Sequence, residues 1–157
     1  MCALPICTAA ERTTLAVTIG LLAILAAAYH ATGPGYNNPV FGGALSLDAL
    51  TVAVRLGVLA LTGLTLALLP SLRPNRHPAE QVAIMLLATA GFTLMAAANQ
   101  LLVAFLALEL ASLSLYILAG FAKDRSASAE AALKYFLFGG VSAAFLDRKS
   151  TRLNSSH

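Results

Sequence analysis

Residues 101–121 read LLVAFLALELASLSLYILAGF, an apolar stretch in which Glu109 is the one charged side chain. A helix of about 20 residues crosses a hydrocarbon core about 30 Å thick, so this stretch is long enough to span a membrane. Four other apolar blocks accompany it along the chain, and we predict a span in each. The predicted spans are residues 14–29, 43–69, 82–98, 101–121 and 131–146.

The composition is that of a membrane protein. Hydrophobic residues make up 59% of the 157 residues and charged residues 11%, and this charged fraction is about half of that in an ordinary soluble domain. Backbone exposed to lipid must satisfy its own hydrogen bonds, and the blocks are too long and too continuously apolar for the strands of a barrel. The sequence therefore predicts an all-α, polytopic transmembrane helix bundle of about five spans in a lipid bilayer.

The two ends of the chain differ from its middle. Residues 147–157, DRKSTRLNSSH, interrupt the fifth apolar block, and they resemble the conceptual translation of a common sequencing-adapter oligonucleotide. Residues 2–6, CALPI, resemble the translation of the companion adapter. We therefore expect a non-native leader at 1–7, a fragment of a transmembrane domain at 8–146, and a non-native tail at 147–157 that does not continue the fifth helix. A genuine polar C-terminal tail is the alternative.

The net charge gives no reason to expect a nucleic-acid partner. The whole chain has a formal charge of +3, but residues 147–157 contribute three basic residues and one acidic residue, which leaves +1 for the rest. Cys2 and Cys7 lie outside every hydrophobic block, so we expect neither a disulfide framework nor a metal site.

Basic residues in the connections predict the orientation of the spans. Two arginines lie in residues 73–77, between the second and third blocks, and Lys123 and Arg125 lie between the fourth and fifth. The loop 30–39 contains neither lysine nor arginine. By the positive-inside rule, the two basic connections are cytoplasmic and the loop 30–39 lies outside.

Glu109 is the strongest candidate for a functional residue. It lies about 12 Å below the outer end of its span, close to the middle of the bilayer, where insertion scales assign about 2.5 to 3.5 kcal/mol to a charged side chain such as Asp. Ser112 and Tyr116 share its helical face and form a narrow polar stripe. A protonated Glu that only packs against a neighbouring helix is the alternative. We favour a proton relay.

Two other pairs of ionisable residues accompany it. Asp48 and Arg55 fall inside the second block and share a face, but they lie about 10 Å apart along it, too far for a direct ion pair. Asp48 is alternatively a marker of the outer interface, whereas Arg55 is too deep for snorkelling alone to explain. Glu130 and Lys134 are spaced i,i+4 with the acid first, which favours a helical ion pair. A solvated helix start is the alternative for this pair.

Residues 108–121 and 130–139, LELASLSLYILAGF and EAALKYFLFG, resemble the most distinctive stretches of the bacterial N subunit of NADH:quinone oxidoreductase, the equivalent of mitochondrial subunit 2. The resemblance covers about residues 14–146. It implies that Glu109, Glu130 and Lys134 belong to a proton pathway. Arg55 stands where the family more often has lysine, so the positive charge is kept. The family has many more spans, and the lysine that partners the mid-membrane Glu lies beyond Leu146.

The resemblance also implies the setting of this chain. It implies an ion-translocating subunit in a bacterial inner membrane, associated with the other membrane subunits of its complex. No cofactor is implied in this subunit; the parent complex carries NADH, FMN, iron–sulfur clusters and quinone. Asp48, Ser112 and Tyr116 are supporting polar residues in this interpretation. A subunit of a related cation/proton antiporter or membrane-bound hydrogenase is one alternative, and a non-transporting helical scaffold is the other.

Overall fold

Five α-helices make up the fold in a computed structural model, which describes residues 9–32, 41–71, 77–122 and 125–154. The all-α class predicted from the sequence is confirmed. A short 3-10 turn, Leu69–Ser71, follows the second helix. The helices, in chain order, are α1 (Ala9–Ala31), α2 (Ala49–Leu68), α3 (Pro78–Ala97), α4 (Leu101–Ala119) and α5 (Ser126–Asn154).

Four of these helices are long and apolar enough to cross a membrane by length and composition: α1, α2, α3 and α4. In α5, twelve residues separate Lys134 from Asp147. A continuous crossing needs about 20 mostly apolar residues. Four of the five predicted spans are therefore confirmed as candidates, and the fifth stays a prediction.

The fifth helix does not end where the sequence predicted. We expected residues from Asp147 onward not to continue it, but α5 runs without a break to Asn154. Residues 147–154 contain neither Gly nor Pro, and Arg, Lys and Leu are good helix formers. Local helix propensity therefore carries the helix across Leu146 even though the apolar character ends there, and the expectation of a structural break is wrong.

The start of α2 also differs from the predicted block 43–69. Gly42 and Gly43 have positive φ angles of 64° and 89°, which turn the chain before the helix and favour glycine. Leu45 then forms an isolated antiparallel bridge with Ala98. The helix begins only at Ala49. The segment contains the apolar residues Leu45 and Leu47, so hydropathy alone does not separate it from the helix that follows.

Close helix contacts hold the first three helices together in antiparallel order. A Cβ at Gly20 of α1 would lie 2.9 Å from side-chain carbons of both Leu66 in α2 and Val82 in α3. Thr62 of α2 and Thr89 of α3 join the second and third helices by a 2.9 Å hydrogen bond between their hydroxyls. Buried apolar side chains of the three helices form a cluster, and most of them lie near the end of the bundle where α1 begins and α2 ends. Its buried members are Ala16, Val17, Ile24, Leu59, Leu66, Leu69 and Val82.

Large apolar side chains point outwards along the bundle. Leu22, Leu61, Leu102 and Phe138, on four different helices, are between 65% and 77% exposed. An exposed apolar surface of this kind is costly in water but is favourable in lipid or against other apolar subunits. The outer surface of the helices therefore agrees with the membrane environment that the sequence predicts.

Two connections meet at one end of the bundle. Ser46 donates its backbone N–H to the Ala97 carbonyl (2.8 Å), and Asn99 donates to the Ala44 carbonyl (2.9 Å). The Asn99 side chain also donates to the Gly43 carbonyl, at 3.0 Å. The segment before α2 and the α3–α4 turn therefore share one end. Because the helices alternate in direction, the end of α2, the start of α3, the end of α4 and the start of α5 lie at the other end.

Candidate functional site

Helix α4 carries the central candidate residue. Glu109 is eight residues beyond Leu101, about 12 Å along the axis, and its side chain is half-buried. Among the described residues it has no hydrogen-bond or ion-pair partner. A carboxyl group at this depth without a fixed partner can exchange a proton with water or with a group on another helix, and an ionised carboxylate there needs such a partner.

A close crossing of α3 and α4 fixes the position of Glu109. Gly91 in α3 is buried, and a Cβ added to it would lie 2.7 Å from the backbone N of Ala111. Ala111 itself is 1% exposed and lies two residues beyond Glu109. Gly91 is not among the residues predicted from the sequence. A lone glycine in an otherwise apolar helix was the available signal, since glycine in a membrane helix often marks a close helix contact.

Tyr116 extends the face of Glu109 towards α5. Its ring lies edge-on to that of Tyr135, with centroids 5.0 Å apart, and edge-on to that of Phe136, at 5.8 Å. Its hydroxyl occupies the place that a Cβ at Gly139 would take. Ser112, one turn beyond Glu109 on the same side, is half-buried. The polar stripe predicted from the sequence therefore runs along α4 to its interface with α5.

Neighbouring hydroxyls outside this stripe are satisfied locally. Ser114 is 1% exposed and donates its hydroxyl to the Leu110 carbonyl of its own helix, at 2.8 Å. At the α4–α5 connection the Ser128 hydroxyl donates to the Ala119 carbonyl, at 2.6 Å. The second bond fixes the beginning of α5 against the end of α4, so it helps to align the two helices.

Glu130 and Lys134 form the ion pair that their spacing predicted. The Lys134 Nζ lies 2.5 Å from the Glu130 Oε1, and the two side chains are 67% and 64% exposed. An exposed helical pair of this kind contributes about 0.2 to 1 kcal/mol to stability. The pair lies near the start of α5. Along the two helices, Tyr116 lies between this pair and Glu109. The structure therefore places the pair and Glu109 on adjacent helices but does not join them directly.

Arg55 lies in α2 and is separated from Glu109 by α3. Helices α2 and α4 do not pack against each other, whereas α3 packs against both. The Arg55 side chain is half-buried, and its Nε is buried without a hydrogen-bond partner among the described residues. A buried guanidinium donor without a partner is costly. The Arg55 Nε–H is therefore able to donate to a hydrogen-bond acceptor outside the described residues.

Asp48 does not lie inside the second span, and this part of the prediction is wrong. It is the N-cap of α2, and its Oδ1 accepts the Thr51 backbone N–H at 2.8 Å. Hydrogen bonding from the hydroxyl and the backbone N–H of Thr51 lowers the pKa of the Asp48 carboxyl below its usual value of 3.8. Asp48 thus begins helix α2, and the outer-interface interpretation stays a prediction.

Potential metal ligands do not cluster in the part of the chain that the structure describes. Within it, no group of three His, Cys, Asp or Glu side chains comes together. Cys2 and Cys7 lie outside the described residues. What the site offers chemically is proton exchange and charge, through carboxyl, ammonium, guanidinium and hydroxyl groups.

Comparison with known proteins agrees with this arrangement. Residues 98–146 match the transmembrane family described as NADH:quinone oxidoreductase/Mrp antiporter. This matched segment contains Glu109, Tyr116 and the Glu130–Lys134 pair. No solved structure matches the chain.

Curated relatives match a larger part of the chain. NADH-quinone oxidoreductase subunit N 1 of Roseiflexus castenholzii is 44% identical over 71% of this chain and 20% of its own length. Subunit N of Trichlorobacter lovleyi is 38% identical over 82% of this chain and 27% of its own length. The F(420)H(2) dehydrogenase subunit N of Methanosarcina mazei is 40% identical over 68% of this chain and 22% of its own length.

The chain thus spans between a fifth and just over a quarter of the length of these relatives. The similar proteins carry the name subunit N, two of an NADH-quinone oxidoreductase and one of an F(420)H(2) dehydrogenase. Taken with the four apolar helices and the matched segment around Glu109, these similarities identify the family: the chain belongs to the antiporter-like N-subunit family of NADH:quinone oxidoreductases.

Proposed function

We propose that the complete subunit translocates protons and that Glu109 carries them at mid-membrane depth. The observation that carries this proposal is the half-buried Glu109 carboxyl, eight residues into α4, without a partner among the described residues. A carboxyl group fixed only for packing would have a hydrogen-bond partner on a neighbouring helix. The described helices do not fix the Glu109 carboxyl in this way, so in the complete subunit its proton exchanges with water or with a group on a helix outside this chain.

Other ionisable residues take supporting roles in this proposal. The exposed Glu130–Lys134 pair exchanges protons with the water at the α4–α5 end of the bundle, which we assign to the cytoplasmic side. Arg55 supplies a fixed positive charge on the far side of α3. Ser112 and Tyr116 continue the polar face of Glu109 towards α5. Asp48, as a helix cap at the opposite end, supports the fold of α2 rather than the transfer itself.

The setting proposed is a respiratory NADH:quinone oxidoreductase in a bacterial inner membrane, with the other membrane subunits of that complex as partners. The relatives named as subunit N of such enzymes support it. The chain would take part in enzyme turnover without a redox centre of its own, and NADH, FMN, iron–sulfur clusters and quinone would belong to the parent complex. The family description also names the Mrp antiporter, which keeps a subunit of a related cation/proton antiporter as the second candidate.

Substitution of Glu109 tests the proposal in the full-length subunit within its complex. Glu109→Gln keeps the size and the hydrogen-bonding capacity of the side chain but cannot release a proton. We expect the variant complex to assemble and to lose most of its proton uptake into sealed vesicles, whereas Glu109→Asp retains part. Glu80→Gln is the matched control, because Glu80 is an exposed acid at the start of α3. Uptake at the wild-type level by an assembled Glu109→Gln complex would remove Glu109 from the mechanism.

A further inference from the structure

The Tyr116 hydroxyl lies in a confined position between α4 and α5. A Cβ at position 139 would coincide with this hydroxyl and would lie 2.5 Å from the ring Cζ. Gly139 therefore leaves the space that the hydroxyl occupies. The next residue, Gly140, has nothing within 4 Å of a Cβ built on it. The need for glycine thus applies to position 139 and not to its neighbour.

The ring of Tyr116 is fixed from a second side. Tyr135 and Phe136 lie edge-on to it at 5.0 and 5.8 Å, with interplanar angles of 89° in both contacts. Two edge-to-face contacts and the close approach to Gly139 leave the ring little freedom to turn. Its hydroxyl nevertheless has no hydrogen-bond partner among the described residues. The phenol is therefore held in place, and its O–H is not committed to a partner within these residues.

This phenol lies between the two ionisable parts of the proposed pathway. Tyr116 is seven residues from Glu109 on the same face of α4, about 10 Å along the axis. On the other side, its ring contacts Tyr135, the residue that follows Lys134. Three or four hydrogen bonds of about 2.8 Å cover about 10 Å, and the half-buried Ser112 lies within that distance.

We propose that Tyr116, positioned by Gly139, passes protons between the Glu130–Lys134 end of α5 and Glu109. This inference rests on the proposed function. In the transfer step, the Lys134 ammonium gives a proton to water, and this water gives a proton to the phenol oxygen. The phenol's own O–H proton moves to water or to Ser112, which passes a proton on to the Glu109 carboxylate, so Lys134 becomes neutral and Glu109 becomes protonated. One O–H bond forms as another breaks, so the phenol is unchanged and neutral after each transfer.

Two substitutions test the relay in the complete complex, reconstituted in sealed vesicles. Tyr116→Phe removes only the hydroxyl and keeps the ring with its two edge contacts. Gly139→Ala keeps the hydroxyl but fills its position. We expect both variants to lower proton uptake per assembled complex several-fold. Tyr116→Phe should assemble in normal amount, whereas Gly139→Ala should give less complex because the ring has to move aside. The double variant should be no worse than either single variant, because both remove the same hydroxyl from the pathway.

Matched controls separate the relay from packing. Gly140→Ala adds the same methyl group where nothing is close, and Tyr135→Phe removes a hydroxyl from the partner ring; both should pump at the wild-type rate. If Tyr116 only packs α4 against α5, Tyr116→Phe keeps that packing and will leave the uptake per assembled complex unchanged. That result overturns the relay, as does an equal loss of uptake in Tyr135→Phe.

Glu109→Gln, measured in the same vesicles, separates this inference from the proposal on which it rests. Wild-type uptake in Glu109→Gln would end the proposed function, and the relay with it. Impaired uptake in Glu109→Gln together with wild-type uptake in Tyr116→Phe would overturn the relay alone. If Gly139→Ala fails to assemble, Tyr116→Phe decides the question without it.

Discussion

Gly91 of α3 lies against the backbone of Ala111 in α4, so closely that a Cβ at 91 would be 2.7 Å from the Ala111 backbone N and 2.9 Å from its Cα. Backbone atoms cannot move aside as the end of a flexible side chain can. The crossing therefore depends on the absence of a side chain at position 91. Because Glu109 is two residues from Ala111, the same contact determines how far Glu109 lies from α3.

We predict that Gly91→Ala destabilises the subunit by about 1 to 3 kcal/mol, the usual cost of overpacking a tight contact. Gly57→Ala is the matched control. A Cβ at 57 meets nothing within 4 Å, and alanine is favoured over glycine inside a helix by about 0.5 to 1 kcal/mol. The thermal unfolding temperature of the assembled complex should fall in Gly91→Ala and should not fall in Gly57→Ala. Equal behaviour of the two variants would contradict the crossing.

Asp48 gives a prediction about pH. Because the pKa of its carboxyl is lowered in the folded state, the carboxylate stabilises the fold above the unfolded value of 3.8, and this contribution is lost as the pH falls through the folded pKa. Asp48→Asn keeps a capping oxygen but does not titrate. We therefore expect the stability difference between wild type and Asp48→Asn to be constant near neutral pH and to change below about pH 4. Unfolding midpoints measured from pH 6 to pH 3 test this, and a constant difference over the whole range would exclude the effect.

The contrast between α4 and α2 explains what the sequence could predict. The start of α4 at Leu101 and the depth of Glu109 follow from a single continuous apolar block. The ion pair Glu130–Lys134 depends only on two residues four apart in one helix, and the structure contains it. The start of α2 was mispredicted because Leu45 pairs with Ala98, a partner far away in the sequence. The fit of Tyr116 against Gly139 also depends on how two helices pack, and hydropathy contains no information about that.

A further prediction concerns the end of the apolar part of α5. We expect the native gene to encode apolar residues after Leu146, in place of residues 147–157. The twelve residues between Lys134 and Asp147 give a helix of about 18 Å, which is shorter than a hydrocarbon core of about 30 Å. The family match also ends at Leu146. Sequencing the source gene across this codon tests the prediction, and a native reading frame that encodes Asp-Arg-Lys-Ser-Thr would contradict it.

The orientation of the bundle can be tested with two exposed residues at opposite ends. Gln100 precedes α4 at the end where the α3–α4 turn meets the segment before α2, and Arg125 precedes α5 at the other end. The basic connections should be cytoplasmic, although Arg73, Arg76 and Lys123 lie outside the described residues. In a full-length subunit without other cysteines, a membrane-impermeant thiol reagent added to intact cells should modify Gln100→Cys and spare Arg125→Cys.

Inverted membrane vesicles provide the control for that experiment, because they present the cytoplasmic face to the reagent. There we expect the reverse pattern, with Arg125→Cys modified and Gln100→Cys spared. The structure requires the two positions to behave oppositely, whichever end is outside, because one helix, α4, separates them. Modification of Arg125→Cys in intact cells with protection of Gln100→Cys would invert the proposed orientation and would place the Glu130–Lys134 pair on the outer side. Modification of both from the same side would mean that α4 does not cross the membrane.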